Sequence, residues 1–148
     1  TAVFTAAAEK FIGRATFEAL TGRRVLSHVF DEPGHPLGAH IDVAVQAKLL
    51  VVAPATANFM AKAAHGAADD LLSTLYLSFT GPVLMAPAMN CEMWEKPAVQ
   101  RNVQQLRADG VHFVDPEEGW LSCRKRGVGR MAAPEKIFAA IDKLLKSK

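Results

Sequence analysis

Only two cysteines, Cys91 and Cys123, occur in 148 residues. A pair cannot build a disulfide framework in a chain of this length, so a reducing compartment, the cytoplasm, is the default expectation. No apolar run approaches the roughly 20 residues that a membrane-spanning helix requires, and no stretch carries the signal-peptide pattern. Excess charge of one sign is also missing. Seventeen basic against fifteen acidic side chains leave a net charge of +2, which gives no bulk attraction to nucleic acid. The glycine fingerprint of dinucleotide sites and the lysine of a P-loop are absent. So are a G-x-S-x-G elbow, a zinc-spaced Cys/His cluster and paired carboxylates in a strand-end turn. Standard hydrolysis and metal chemistry therefore lack their parts.

What is present suits one globular domain over residues 1–148, with 50% hydrophobic and 22% charged residues. Short apolar runs alternate with helix-forming stretches, which predicts an α/β fold with a doubly wound parallel sheet. Leu49 to Pro54 reads as a central parallel strand with a proline stop, and Val83 to Pro87 as a second, fully buried one. Ala2 to Phe4 reads as the end of a strand, with helix over Ala6 to Ile12 and a further helical turn over Thr16 to Leu20, closed by Gly22. Val25 to Phe30 is a candidate short strand, and 31–38 an irregular loop. Helices are expected over Ile41 to Ala47, Phe59 to His65, Leu71 to Phe79, Pro97 to Ala108 and Pro134 to Leu145, with a short strand at Val111 to Val114. The last helix should bury Ile137, Ile141, Leu144 and Leu145 on one face.

Open α/β sheets bind ligands outside the carboxyl ends of their strands. Three such ends carry polar groups: Thr5, the Thr56 to Asn58 turn, and Asn90. Each has two readings. Thr5 and Thr56 either cap the following helix or, with its first free amides, hold a phosphate or a polar ring edge. Asn90 either caps a short helix or offers its amide to a ligand carboxylate, beside an apolar wall of Met89, Met93 and Trp94. Asp69 and Asp70 read as helix capping ahead of metal binding. His40 sits in a first helical turn, where the helix dipole favours a neutral imidazole able to act as a base. The stretch from Glu118 to Met131 reads as a long loop in which Arg124, Lys125 and Arg126 favour the thiolate of Cys123, while Gly127 and Gly129 permit lid-like motion. A cleft without a hydrolytic nucleophile, holding a histidine and a mobile thiol, suits an organic cofactor that carries the hard step.

Five segments together resemble the flavin-dependent cysteine decarboxylases, and within them the phosphopantothenoylcysteine decarboxylases of coenzyme A biosynthesis. They are His40-Ile41, Ala53-Pro54-Ala55-Thr56-Ala57-Asn58, Ala68-Asp69-Asp70-Leu71-Leu72, Pro87-Ala88-Met89-Asn90 with Met93-Trp94, and Leu121-Ser122-Cys123 followed by Gly127-Val128-Gly129-Arg130-Met131. The resemblance implies a three-layer Rossmann-like (flavodoxin-like) parallel sheet, with FMN held by Thr5, Thr56, Ala57, Asn58 and Phe59. It implies that the flavin oxidises the cysteine moiety of 4'-phosphopantothenoylcysteine, that the product of that oxidation loses CO2, and that the enethiolate is reduced back to give 4'-phosphopantetheine. His40 matches the catalytic base, and Asn90, with Ala88 and Met89, the grip on the substrate carboxylate. Cys123 matches the final proton donor, on a clamp over the substrate. Homo-oligomers are implied, trimers that can assemble into dodecamers, as is fusion to a phosphopantothenoylcysteine synthetase domain in a longer chain. The family's first strand and its Gly/Ser/Ala turn precede the position of Thr1, so a flavin-binding segment ahead of residue 1 is expected. Arg124 and Lys125 stand where the family usually has Gly and an acid. Two other readings share these motifs: a peptidyl-cysteine decarboxylase of lantibiotic maturation, which can stop at the enethiol, and a flavin-binding regulatory subunit without turnover.

Overall fold

Val83–Pro87 forms strand β2 of the computed structural model, and all five of its residues are buried. The structure describes residues 1–30, 34–35, 38–121 and 123–146. β2 runs parallel to β1 (Leu50–Ala55) on one side and to β3 (His112–Phe113) on the other. The strand expected to be central, β1, thus lies at the end of the order β1-β2-β3 among the described residues, and β2 is the middle one. Pro54 does not stop β1 but sits inside it, where the register with β2 shifts between Val52 and Ala55. A residue without an N–H is tolerated at such an irregularity.

The chain divides into two compact units. Thr1–Ala47 with Gly66–Thr80 form one, and Lys48–His65 with Gly81–Lys148 the other. The second holds the sheet. After β1 comes α3 (Ala57–Ala64), which packs on α6 (Pro97–Ala108); α3 buries Phe59, Met60 and Ala63, and α6 buries Val103 and Leu106. Those spacings of three and four place each set on a single helix face. α7 (Pro134–Lys146) lays Ile137, Ala140, Ile141 and Leu144 against Leu84, Ala86 and Ala132. Leu145, expected on that face, points away and is exposed.

In the first unit, Val3 and Leu26 form one parallel bridge, with the Phe4 N–H donating to the Leu26 carbonyl at 2.8 Å. The two strands expected here shrink to this bridge. Leu26, Ala39 and Leu71 make its core, lined by Val3, Val29 and Val43. α1 (Arg14–Thr21) ends at Gly22 in the left-handed conformation, and α2 (Ala39–Gln46) packs on α4 (Leu71–Ser78). Asp70 caps α4 in a reciprocal box with Ser73, which is fully buried, so the acidic pair does structural work in this chain. The helix expected over Ala6 to Ile12 is only a 3-10 turn, Ala8–Lys10. It buries no residue, Phe11 is 91% exposed, and so short a helix with no apolar face to dock gains nothing from the tertiary fold.

The stretch expected as a loop around Cys123 is a β-hairpin. β4 (Glu117–Trp120) pairs antiparallel with β5 (Arg126–Arg130). At its base, Glu117 forms an ion pair with Lys136 of α7 at 2.7 Å and accepts a hydrogen bond from Arg130 at 3.0 Å. These contacts, that of Lys136 foremost, hold the Glu117 carboxyl at about 2. A depressed carboxylate stabilises the fold above its unfolded value near 4.3, and that contribution fades as pH falls through the folded value. Acid titration followed by circular dichroism is therefore expected to show Glu117→Gln losing less stability than the parent between about pH 4.5 and 2. Equal acid sensitivity of the two proteins would remove Glu117 from the anchor.

Candidate active site

At the carboxyl edge of the sheet, three segments of the second unit are tied by main-chain bonds. The Ala88 N–H donates to the Ala55 carbonyl at 3.2 Å, which sets the turn after β2 beside the turn after β1. The Met89 N–H donates to the Gly129 carbonyl at 2.9 Å, which sets β5 against the same turn. Thr56, Ala57, Asn58, Ala88, Met89, Asn90 and the hairpin bearing Cys123 therefore belong to one unit. Thr5 and His40 belong to the other.

Both readings of the strand-end residues leave their mark. The Thr56 hydroxyl caps α3 by accepting from the Phe59 N–H at 3.2 Å, while Thr56 and Asn58 themselves are exposed. Phe59 is a core side chain, 5% exposed, so its ring faces the interior and not a solvent-open edge. Asn90 caps the short helix α5 (Cys91–Trp94), its Oδ1 accepting from the Glu92 N–H at 2.8 Å. Its Nδ2 donates to nothing among the described residues, so the two halves of the amide are divided between a cap and a free donor. Thr5 likewise accepts from the Ala8 N–H at 3.2 Å. Of the expected apolar wall, Met89 and Trp94 are half-buried and Met93 is exposed.

His40 lies in the first turn of α2, after Gly38 with φ +98°. A Cβ at Gly38 would meet the imidazole Cε1 at 3.0 Å, so the ring lies across a backbone position only glycine fills without strain. Nδ1 of His40 is buried without a hydrogen-bond partner among the described residues. An unpaired buried imidazole nitrogen is costly unless it serves a ligand or a proton.

The hairpin corrects the expectation of a hinged loop. Gly127 and Gly129 are not hinges but strand residues, each facing a close neighbour: a Cβ at Gly127 would stand 2.9 Å from the Cys91 Cβ, and one at Gly129 only 2.3 Å from the Met89 carbonyl oxygen. Of the cations around Cys123, Lys125 pairs with Glu92 and Arg126 with Glu118 at 3.2 Å. Glu92 is held below the usual carboxylate range chiefly by its hydrogen bond to Lys125, and Lys125 is raised by the same bond. Cys123 itself is exposed at the tip, and Ser122 lies outside the described residues. Arg124 takes φ +60°, a conformation that favours the glycine of the family pattern at this position.

Sequence reading missed the Lys125–Glu92 pair and the seat of β5. The spacing of Gly127 and Gly129 was the available signal, because residues two apart share one face of a strand.

A parallel sheet flanked by helices, with its polar turns gathered at the strand carboxyl ends, defines a Rossmann-like α/β protein. More narrowly, the chain belongs to the Flavoprotein family, whose model matches residues 1–146. It is 44% identical over 141 residues to the coenzyme A biosynthesis bifunctional protein CoaBC of Bacillus subtilis (strain 168), covering 95% of this chain and 35% of that one. The chain thus spans about a third of the length of the curated relatives it matches. Among solved structures it is similar to the FMN-dependent cysteine decarboxylase SpaF, with 42% identity, a TM-score of 0.84, and coverage of 98% of this chain and 77% of that one. It is also similar to a PPC decarboxylase mutant complexed with pantothenoylaminoethenethiol, with 27% identity, a TM-score of 0.87, and coverage of 97% and 81%.

Proposed function

We propose that this chain is the FMN-dependent decarboxylase part of a bifunctional coenzyme A biosynthesis protein, converting 4'-phosphopantothenoylcysteine to 4'-phosphopantetheine. The observation that carries it is the docking of the Cys123 hairpin on the Asn90 turn, through the Met89 N–H and the Gly129 carbonyl. This joins a carboxylate-binding amide and a proton-bearing thiol in one structural piece. The CoaBC relatives supply the pathway and the PPC decarboxylase complex the class of product.

The residues present fit a flavin. Thr56 opens an eight-residue helix whose first-turn amides suit a phosphate or a polar ring edge. The Thr5 hydroxyl adds a polar group, and the orphaned His40 Nδ1 is a buried group in need of a partner. FMN, when bound, supplies a two-electron acceptor and donor, which the side chains of this protein cannot. The chain's own groups do the rest. Asn90 Nδ2 donates to the substrate carboxylate, His40 takes the proton from the substrate, and Cys123 Sγ returns one to the carbon left after CO2 departs. Met89 and Trp94 keep water from the reacting carbon. Residues 1–148 are the flavoprotein part of a cytoplasmic homo-oligomer whose longer chain carries a synthetase domain. Among the described residues no helix is long and apolar enough to cross a membrane.

The match to SpaF at 42% identity favours a second reading, decarboxylation of a cysteine on another carrier such as a peptide. One experiment separates the readings. The full-length protein is expected to purify yellow, or to turn yellow with added FMN, and to release a product lighter than 4'-phosphopantothenoylcysteine by CO2 alone. A product lighter by CO2 and two hydrogens supports the second reading. A colourless protein that refuses FMN overturns both.

A further inference from the structure

The hairpin that carries Cys123 touches the Asn90 turn through a surface without side chains. β5 approaches with Gly127 over Cys91 and Gly129 over the Met89 carbonyl, and the Gly129 carbonyl accepts from the Met89 N–H at 2.9 Å. Next to this seat, Lys125 at the tip pairs with Glu92, whose N–H is bonded to Asn90. We propose that Gly127 is the positioning residue of the Cys123 hairpin: its bare Cα lets β5 seat on Cys91, so that thiol and amide are delivered to the substrate as one unit. The contact is steric and local. A methyl group at position 127 meets the Cβ of Cys91 at 2.9 Å and its Sγ at 3.1 Å; Sγ can turn aside, but Cβ cannot withdraw without moving the first residue of α5. Strand and helix then part, and the thiol leaves the amide. The Lys125–Glu92 pair assists at the tip, but both side chains are more than half exposed, so it contributes little beside the seat.

The role of the seat in delivering the thiol rests on the proposed decarboxylation, whereas the seat itself is testable without cofactor or substrate. Arg124, Lys125 and Arg126 are exposed at the tip, but trypsin needs several residues of extended, unpaired chain. Cleavage after them therefore speeds up as the hairpin opens, and the excess over the parental rate reports the open population. In the full-length protein, Gly127→Ala is expected to raise cleavage at these three sites about tenfold or more, as overpacking of a close contact does. Adding Cys91→Gly removes the opposing Cβ and should return the rate to within about twofold of the parent, whereas Cys91→Ala should rescue only in part. With FMN and substrate in air, where dioxygen takes up the two hydrogens, Gly127→Ala should also shift product towards the enethiol, and the double variant should shift it back. Cleavage at the parental rate in a folded Gly127→Ala protein, or no rescue by Cys91→Gly, overturns the proposal. Should Gly127→Ala not fold, the double variant Gly127→Ala with Cys91→Gly serves instead: a folded double variant cut within about twofold of the parental rate supports the seat, and one that fails to fold as well overturns it. Faster cleavage with rescue but an unaltered product ratio would keep the seat and remove its link to decarboxylation.

Discussion

Cys123→Ser is expected to keep FMN binding and CO2 release while lowering formation of the fully reduced thiol product by about 10²–10⁴-fold, the usual contribution of a positioned general acid. Serine matches cysteine in shape, and position 123 is an exposed tip residue, so neither packing nor the hairpin ladder changes. What changes is acidity. A thiol titrates near 8.5, whereas an aliphatic hydroxyl holds its proton far more tightly and gives it up too slowly to a carbon. The chain should then stop after losing CO2, and mass spectrometry of the product should find the enethiol, two hydrogens short. Hydrogen bonding at the tip supports this division of labour. Leu121 N–H donates to the Lys125 carbonyl at 2.9 Å and Arg124 N–H to the Leu121 carbonyl at 2.9 Å, so the turn is set by main chain and not by the sulfur. Full turnover by the serine variant would take Cys123 out of the chemistry.

How far the sequence announced this arrangement depends on the range of the forces involved. β2 was legible because five consecutive apolar residues ending in Pro87 have one stable environment, a strand buried on both faces. Helix α6 was legible to the residue, since Pro97 starts it and Gly110, with φ +89°, follows its end. Asp70 announced its cap by chemistry alone. The failures share a cause. Ala6 to Ile12 has helical propensity but no core to meet, and tertiary packing decides such short helices. The Cys123 stretch looked like loop because two glycines and four cations hide the alternation of a strand. Gly127 admits the Cys91 side chain and Gly129 the Met89 main chain, contacts 36 and 40 residues away in the chain that no local pattern contains. Lys125 and Glu92 are separated by 33 residues, and each alone reads as a solvated charge. At the site, the sequence named Asn90, but only the structure divides its amide between a helix cap and a free donor.

That division makes Asn90→Asp the sharper test of substrate binding. Aspartate caps a helix as well as asparagine, so Oδ1 keeps the Glu92 N–H and the melting temperature should hold. On the other side, a donor becomes an anion facing the substrate carboxylate. Two unit charges about 4 Å apart in a medium of effective dielectric near 20 repel by about 4 kcal/mol, which corresponds to about 10³-fold in affinity. The lost charge-assisted hydrogen bond adds about 1.5–3 kcal/mol. Lys125, already paired with Glu92, is poorly placed to neutralise the new charge. The expected result is a KM raised by about 10³-fold or more with FMN binding and thermal stability intact. Asn90→Ala completes the comparison: it loses the cap, at a cost of about 1 kcal/mol of stability, and the donor, but adds no repulsion. Its KM should therefore rise less although its fold is weaker. If Asn90→Asp binds substrate as well as the parent does, the carboxylate rests elsewhere, and the free half of the amide has another task.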